Sequence, residues 1–123
     1  MKDILLICIG GGLGSGLRFI ISRWLQSWST LFPWGTLTVN ILACLILGII
    51  VGLIDHRQAL SPAGRLFWMA GFCGGFSTFS TFSQEAFSLF QMGELFYASL
   101  YIIASMTFCL VTLAMGWYFG QQI

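Results

Sequence analysis

Apolar residues fall in four long blocks along this chain, separated by short polar breaks. The first runs from Ile4 to Trp24 and is interrupted only by Arg18 and Arg23. Trp24 to Ile54 is 31 residues without a charge, Leu66 to Gln84 is 19, and Leu95 to Ile123 is 29. A helix needs roughly 20 mostly apolar residues to cross a bilayer. The pattern therefore predicts an all-α membrane protein with four transmembrane helices, at about 4–24, 35–54, 65–91 and 95–119, forming a single domain over 1–123. Pro33 suits the start of the second helix. His56, Arg57 and Pro62 mark a polar loop over 55–64, and Gly93 and Glu94 mark the last turn. Trp24, Trp28, Trp34, Trp68 and Trp117 all lie near predicted helix ends, where interfacial aromatic residues collect.

The third block carries its own interruption. Gly74-Gly75 is a poor helix interior. Ser77, Thr78, Ser80, Thr81 and Ser83 then place five hydroxyls in seven residues. Unwound backbone inside a membrane survives only where it is buried in protein or lines a cavity. Its freed carbonyls can coordinate a cation. A kinked helix with hydroxyls bonded back to the backbone is the plainer alternative.

Composition agrees with the blocks. Charged residues are 7% of the chain against about 25% in soluble proteins, and mean hydropathy is +0.91. That excludes a water-soluble globule, a disordered chain and a nucleic-acid binder, which needs a basic surface. Arg18, the glycines and the Lys2-Asp3 flank mark the first block as a retained helix rather than a cleaved leader. The four cysteines, Cys8, Cys44, Cys73 and Cys109, fall about one per span with no CxxC pair, and read as small apolar side chains. Gly10 and Gly14, Gly12 and Gly16, Gly48 and Gly52, and Gly71 and Gly75 are small-xxx-small pairs. They predict close helix contacts, within or between chains, and an oligomer. With four spans, Lys2, Arg57 and Arg65 share one side, against Arg23 and a snorkelling Arg18. So small a bias is what a chain inserting in both orientations shows, and also what chance gives with five positive charges.

The polar residues inside spans carry the candidate chemistry. Phe79 and Phe82, at i and i+3, share a face interleaved with hydroxyls. The positive edges of their rings would favour an anion. Asn40 shares a face with Thr36 and is either interhelical glue or a donor to a dehydrated anion. Tyr101, Ser105, Cys109 and Thr112 form a polar stripe in the fourth helix, facing either a pathway or their own backbone. Arg18 and Glu85 are the ionisable groups well inside spans. Arg18 either snorkels or makes a positive vestibule, and Glu85 could pair with a donor, gate a path or carry a proton. His56 reads as a solvated loop residue. No constellation suits an enzyme.

The segment 71–83, Gly-Phe-Cys-Gly-Gly-Phe-Ser-Thr-Phe-Ser-Thr-Phe-Ser, followed by Glu85, resembles the signature of the Fluc/CrcB fluoride channels. Pro33-Trp-Gly-Thr-Leu-Thr-Val-Asn40 with Gly48, and Gly14 with Arg18, extend the resemblance over essentially the whole chain. Ser77 stands where the family often carries Thr, and Cys109 where a hydroxyl is common. The resemblance implies an antiparallel, dual-topology homodimer with two fluoride pores in the bacterial inner membrane, exporting toxic fluoride passively. It implies a central sodium ion on the twofold axis, held by the backbone carbonyls of Gly74 and Ser77 from both subunits. Phe79 and Phe82 match the pore phenylalanines, Asn40 the pore asparagine, and Tyr101 and Ser105 the polar track. Glu85 matches a pore-end carboxylate and Arg18 a vestibule arginine. Ser80, Thr81 and Thr36 supply further neutral hydroxyls, able to hold fluoride without trapping it.

Two rivals have the same size. A small dual-topology, proton-coupled exporter of organic cations would need a membrane-embedded carboxylate, for which only Glu85 is placed. A non-transporting accessory subunit would need only the small-xxx-small faces.

Overall fold

The computed structural model describes residues 1–123, and every regular element in it is helical. Helix α1 is Lys2–Gln26 and α2 is Trp34–Arg57. Both run past the predicted limits, because a helix keeps its hydrogen bonds beyond the point where charges begin. Helix α2 stops at Gln58, whose left-handed backbone (φ 49°) lets its N–H bond back to Ile54. Ser61 Oγ then accepts from Gly64 N–H at 3.1 Å, with Pro62 in the first turn, and starts α3.

The third apolar block is not one continuous helix. Helix α3 covers 62–76: Pro62–Arg65 and Gly74–Phe76 are α-helical, and Leu66–Cys73 has the wider π-helical turn. Ser77 (φ −77°, ψ 159°) and Thr78 (φ −151°, ψ 116°) are extended. Helix α4, Phe79–Gln91, restarts from Thr78, whose hydroxyl accepts from Thr81 N–H at 3.3 Å. Gly93, at φ +81°, ends it in a conformation that side chains with a Cβ rarely adopt. Helix α5 is Leu95–Gln122. By length and composition α1, α2 and α5 can each cross a membrane; α3 and α4 are each too short to do so alone.

Most of the glycine pairs are spent inside the chain. A Cβ on Gly48 would collide with the carbonyl of Leu113, and one on Gly52 with that of Trp117. Gly116 and Gly120 face Leu45 and Ile49 in the same way. Residue numbers rise together on both sides of this seam, so α2 and α5 run parallel. Gly10 and Gly14 press on the backbone of Phe67 and Phe72, and Gly71 and Gly75 on Ile7 and Gly11, which makes α1 and α3 a second parallel pair. Gly12 and Gly16 have nothing within 4 Å. A core of Phe32, Leu37, Phe82, Ala86, Leu89, Ala98 and Tyr101 joins α2, α4 and α5. A smaller one, Val39, Ala43 and Phe76, joins α2 to the end of α3. Only 24 of 123 residues are buried although 58% are hydrophobic, so large apolar side chains cover the outside, as lipid contact requires. The chain is a membrane protein.

Candidate functional site

The break at Ser77-Thr78 strands backbone groups, and the question is where their hydrogen bonds go. In a continuous helix Thr78 N–H would bond to Gly74 O. Here it bonds to Asn40 Oδ1 at 2.8 Å, while Asn40 Nδ2 donates to Thr78 O at 3.3 Å. One side-chain amide therefore replaces both peptide partners of Thr78. Thr81 N–H, which a continuous helix would give to Ser77 O, goes to Thr78 Oγ1. The carbonyls of Gly74 and Ser77 thus lose the N–H groups that would have covered them. Two uncovered carbonyl oxygens on adjoining turns are donors of the kind a hard cation such as sodium takes.

Asn40 is therefore glue, one of the two readings open from sequence. It also keeps its second Nδ2–H, since an amide has two.

Helices α2 and α5 meet in steps of four residues. Thr36 Oγ1 donates to Glu85 Oε1 at 2.9 Å, and Tyr101 OH donates to Glu85 Oε2 at 2.8 Å. One turn on, Asn40 and Ser105 line one groove. At the next step Cys44 and Cys109 line the same groove from opposite helices, and at the next Gly48 meets Leu113. This groove, about 220 Å³, is also lined by Ser77, Thr78, Phe79, Phe82 and Met106. Phe79 and Phe82 sit 5.7 Å apart between centroids, tilted by 40°. Phe82 is buried against Tyr101, and Phe79 is 72% exposed. Ser105 Oγ is buried and has no hydrogen-bond partner. An unmet buried hydroxyl costs about 1–3 kcal/mol until a partner is supplied.

A second groove of about 390 Å³ also borders Thr78, and eight of its nine lining residues are of polar or charged type. Arg18 and Arg23 line it with Thr36, Thr81 and Glu85. Thr78 borders both grooves. Both Glu85 oxygens accept from neutral hydroxyls, which is the pairing alternative among the three open from sequence.

Other candidates stand apart. Ser80 is exposed and reaches only Thr78 Oγ1, at 3.4 Å. Ser83 bonds back to Phe79 O at 2.9 Å. Thr112 turns to carbonyls of its own helix and to Ile41 O at 3.3 Å. His56 lies at the exposed end of α2. Trp117 Nε1 donates to Asp55 Oδ2 at 3.0 Å, tying α5 to that same end.

The sequence reading missed Thr78 as the residue on which both grooves meet. Its signal was position: the residue just before a restarting helix is the one that caps it. Cys44 and Met106 were also missed, since alone each resembles ordinary filling.

The family model for "CrcB-like protein, Camphor Resistance (CrcB)" matches residues 5–117. The chain belongs to the CrcB family. The match takes in every candidate residue from Arg18 to Ser105. Among curated relatives, a protein of Rhizobium leguminosarum bv. trifolii is 40% identical over 117 residues, covering 94% of each chain. One of Agrobacterium fabrum is 38% identical over 124 residues, covering 100% of this chain and 99% of its own. One of Chlorobium chlorochromatii is 40% identical over 113 residues, covering 92% and 88%. All three are named fluoride-specific ion channels.

Proposed function

We propose that this chain is a fluoride-selective ion channel, not an enzyme, and that it lets toxic fluoride leave the cytoplasm passively across the bacterial inner membrane. The names of its relatives support the ion. The observation that carries the site is Ser105 Oγ, a buried donor without an acceptor in the groove of Asn40, Phe79 and Phe82.

Fluoride enters past Arg18 and Arg23, whose charge raises its local concentration. It passes Thr81 and Thr78 and reaches the spare N–H of Asn40, the Ser105 hydroxyl and the ring edges of Phe79 and Phe82. Tyr101 and Thr36 hold Glu85 in place at the boundary of the polar groove and the core. Every donor after the vestibule is neutral. Neutral donors replace the ion's water without the deep well that a lysine or arginine would make, so the ion can leave again.

The chain is one four-span domain. Helices α3 and α4 together make the third crossing, with Ser77-Thr78 near its middle. Two copies assemble antiparallel, with two pores. The twofold axis passes the released carbonyls of Gly74 and Ser77, which would hold a sodium ion with those of the second copy. Bound there, the ion supplies a fixed positive charge and ties the broken helices together. The exposed Phe79 ring and the free face of Gly12 and Gly16 leave apolar surface for that second copy.

Growth tests the transport. Cells without a fluoride exporter should grow in fluoride when they make this chain, and should tolerate less fluoride when they make Phe82→Ile. Equal rescue by both would contradict the ring-edge role. Lysines added at one end of the helices test the assembly: each single-orientation variant alone should be inactive, and the two opposite variants together active. Full activity of one alone would rule out the antiparallel pair.

A further inference from the structure

One step of the α2–α5 ladder has no part in fluoride chemistry. Between Asn40/Ser105 and the glycine seam, Cys44 of α2 and Cys109 of α5 line the groove together, one turn from where Gly48 meets Leu113. Met106 lines the same groove. Thiols are weak hydrogen-bond donors and serve a small, hard anion poorly. Their spacing is nevertheless held, because Gly48 presses on the Leu113 backbone one turn further on. No cluster of three His, Cys, Asp or Glu side chains exists in the chain, so a zinc-type cage is absent. Paired thiols beside a thioether are instead the ligands that select soft cations such as Cu(I).

We propose that Cys44, Cys109 and Met106 form a binding site for a soft monovalent cation of the Cu(I)/Ag(I) class, and that its occupancy closes the ion path. Each thiol gives its proton to water as its sulfur–metal bond forms, and the metal keeps its oxidation state. Two thiolates around one monovalent cation leave one net negative charge. That charge lies in the groove of Asn40 and Ser105, where it repels an incoming anion while the metal fills the space. Closure rests on the channel reading above; binding does not.

The test uses silver nitrate in chloride-free buffer, with the full chain in detergent for binding and in liposomes for flux. Intact-protein mass spectrometry should show one silver per chain for the wild type and for Cys8→Ser, whose thiol lies elsewhere on the exposed face of α1. In Cys44→Ser/Cys109→Ser binding should be at least about tenfold weaker, since losing even a partner behind a metal ligand costs 10–100-fold. Cys109→Ala decides the same point if the double variant does not assemble. One equivalent of silver should cut fluoride efflux about tenfold in wild type and Cys8→Ser, and less than about twofold in the double variant, each against its own metal-free rate. Silver retained by the double variant, or lost from Cys8→Ser, overturns the site. Silver on the pair with efflux unchanged overturns closure. If metal-free protein passes no fluoride, the channel reading has failed, and the binding comparison still decides the site.

Discussion

Helices α2 and α5 touch along one seam, yet its two halves do opposite things. From Gly48 onward the backbones are in direct contact, and a Cβ on Gly48, Gly52, Gly116 or Gly120 would meet main-chain atoms. From Cys44 back to Asn40 the same helices carry Cys109 and Ser105 opposite them and a groove opens, which buried Thr36 and Tyr101 close one turn further on. Glycine contacts leave nothing to adjust, so that half fixes angle and register. The other half can then hold unmet polar groups in place, which a looser pair of helices would bury or turn outward. The site is open because the far end of the same seam is shut.

The largest effect should come from breaking the shut half. Gly116→Ala places a methyl against Leu45 O and Ile49 N, and overpacking of this kind costs about 1–3 kcal/mol, more where backbone must move. Thermal unfolding in detergent should show the loss. Gly12→Ala, with nothing within 4 Å inside the chain, should leave the fold of one copy intact, and any loss it causes should be of assembly. Equal tolerance at both positions would mean that the close approach is not real.

Asn40→Ala comes next. It removes the only acceptor shown for Thr78 N–H, and an unmet buried donor costs about 1–3 kcal/mol. Lower melting and lost fluoride flux should appear together. Phe82→Ile should lower flux about tenfold, the equivalent of ~1.4 kcal/mol in barrier, while the protein still elutes as assembled. Ser105→Ala sharpens the contrast most and shifts stability least. Flux should fall, and stability should stay level or rise by about 1 kcal/mol, because an unpaired buried hydroxyl is gone. Loss of both would mean that Ser105 is structural.

Much of this was legible in the sequence, for definite reasons. Charge-free runs mark helices that lipid must solvate, and Gly74-Gly75 with its cluster of hydroxyls marks where one fails. Four-residue spacing put Thr36 with Asn40 and Tyr101 with Ser105. That these two faces meet each other is a contact between residues 65 apart in the chain, for which spacing within a helix gives no rule. The same limit hid the partners of Glu85 and made Cys44 and Cys109 look like separate apolar filling. Gly10, Gly14, Gly12 and Gly16 read alike as a pattern. Only packing separates the pair that touches α3 from the pair that touches nothing in the chain. Nor does any period announce the π-helical turn at Leu66–Cys73.

The central claim is that the open half of the seam passes fluoride and refuses larger halides. Efflux of fluoride and of chloride should be followed in parallel from liposomes holding the purified chain. Fast fluoride release with little chloride release is the predicted result. Chloride release at a comparable rate, or no fluoride release from protein shown to be folded and assembled, would contradict it.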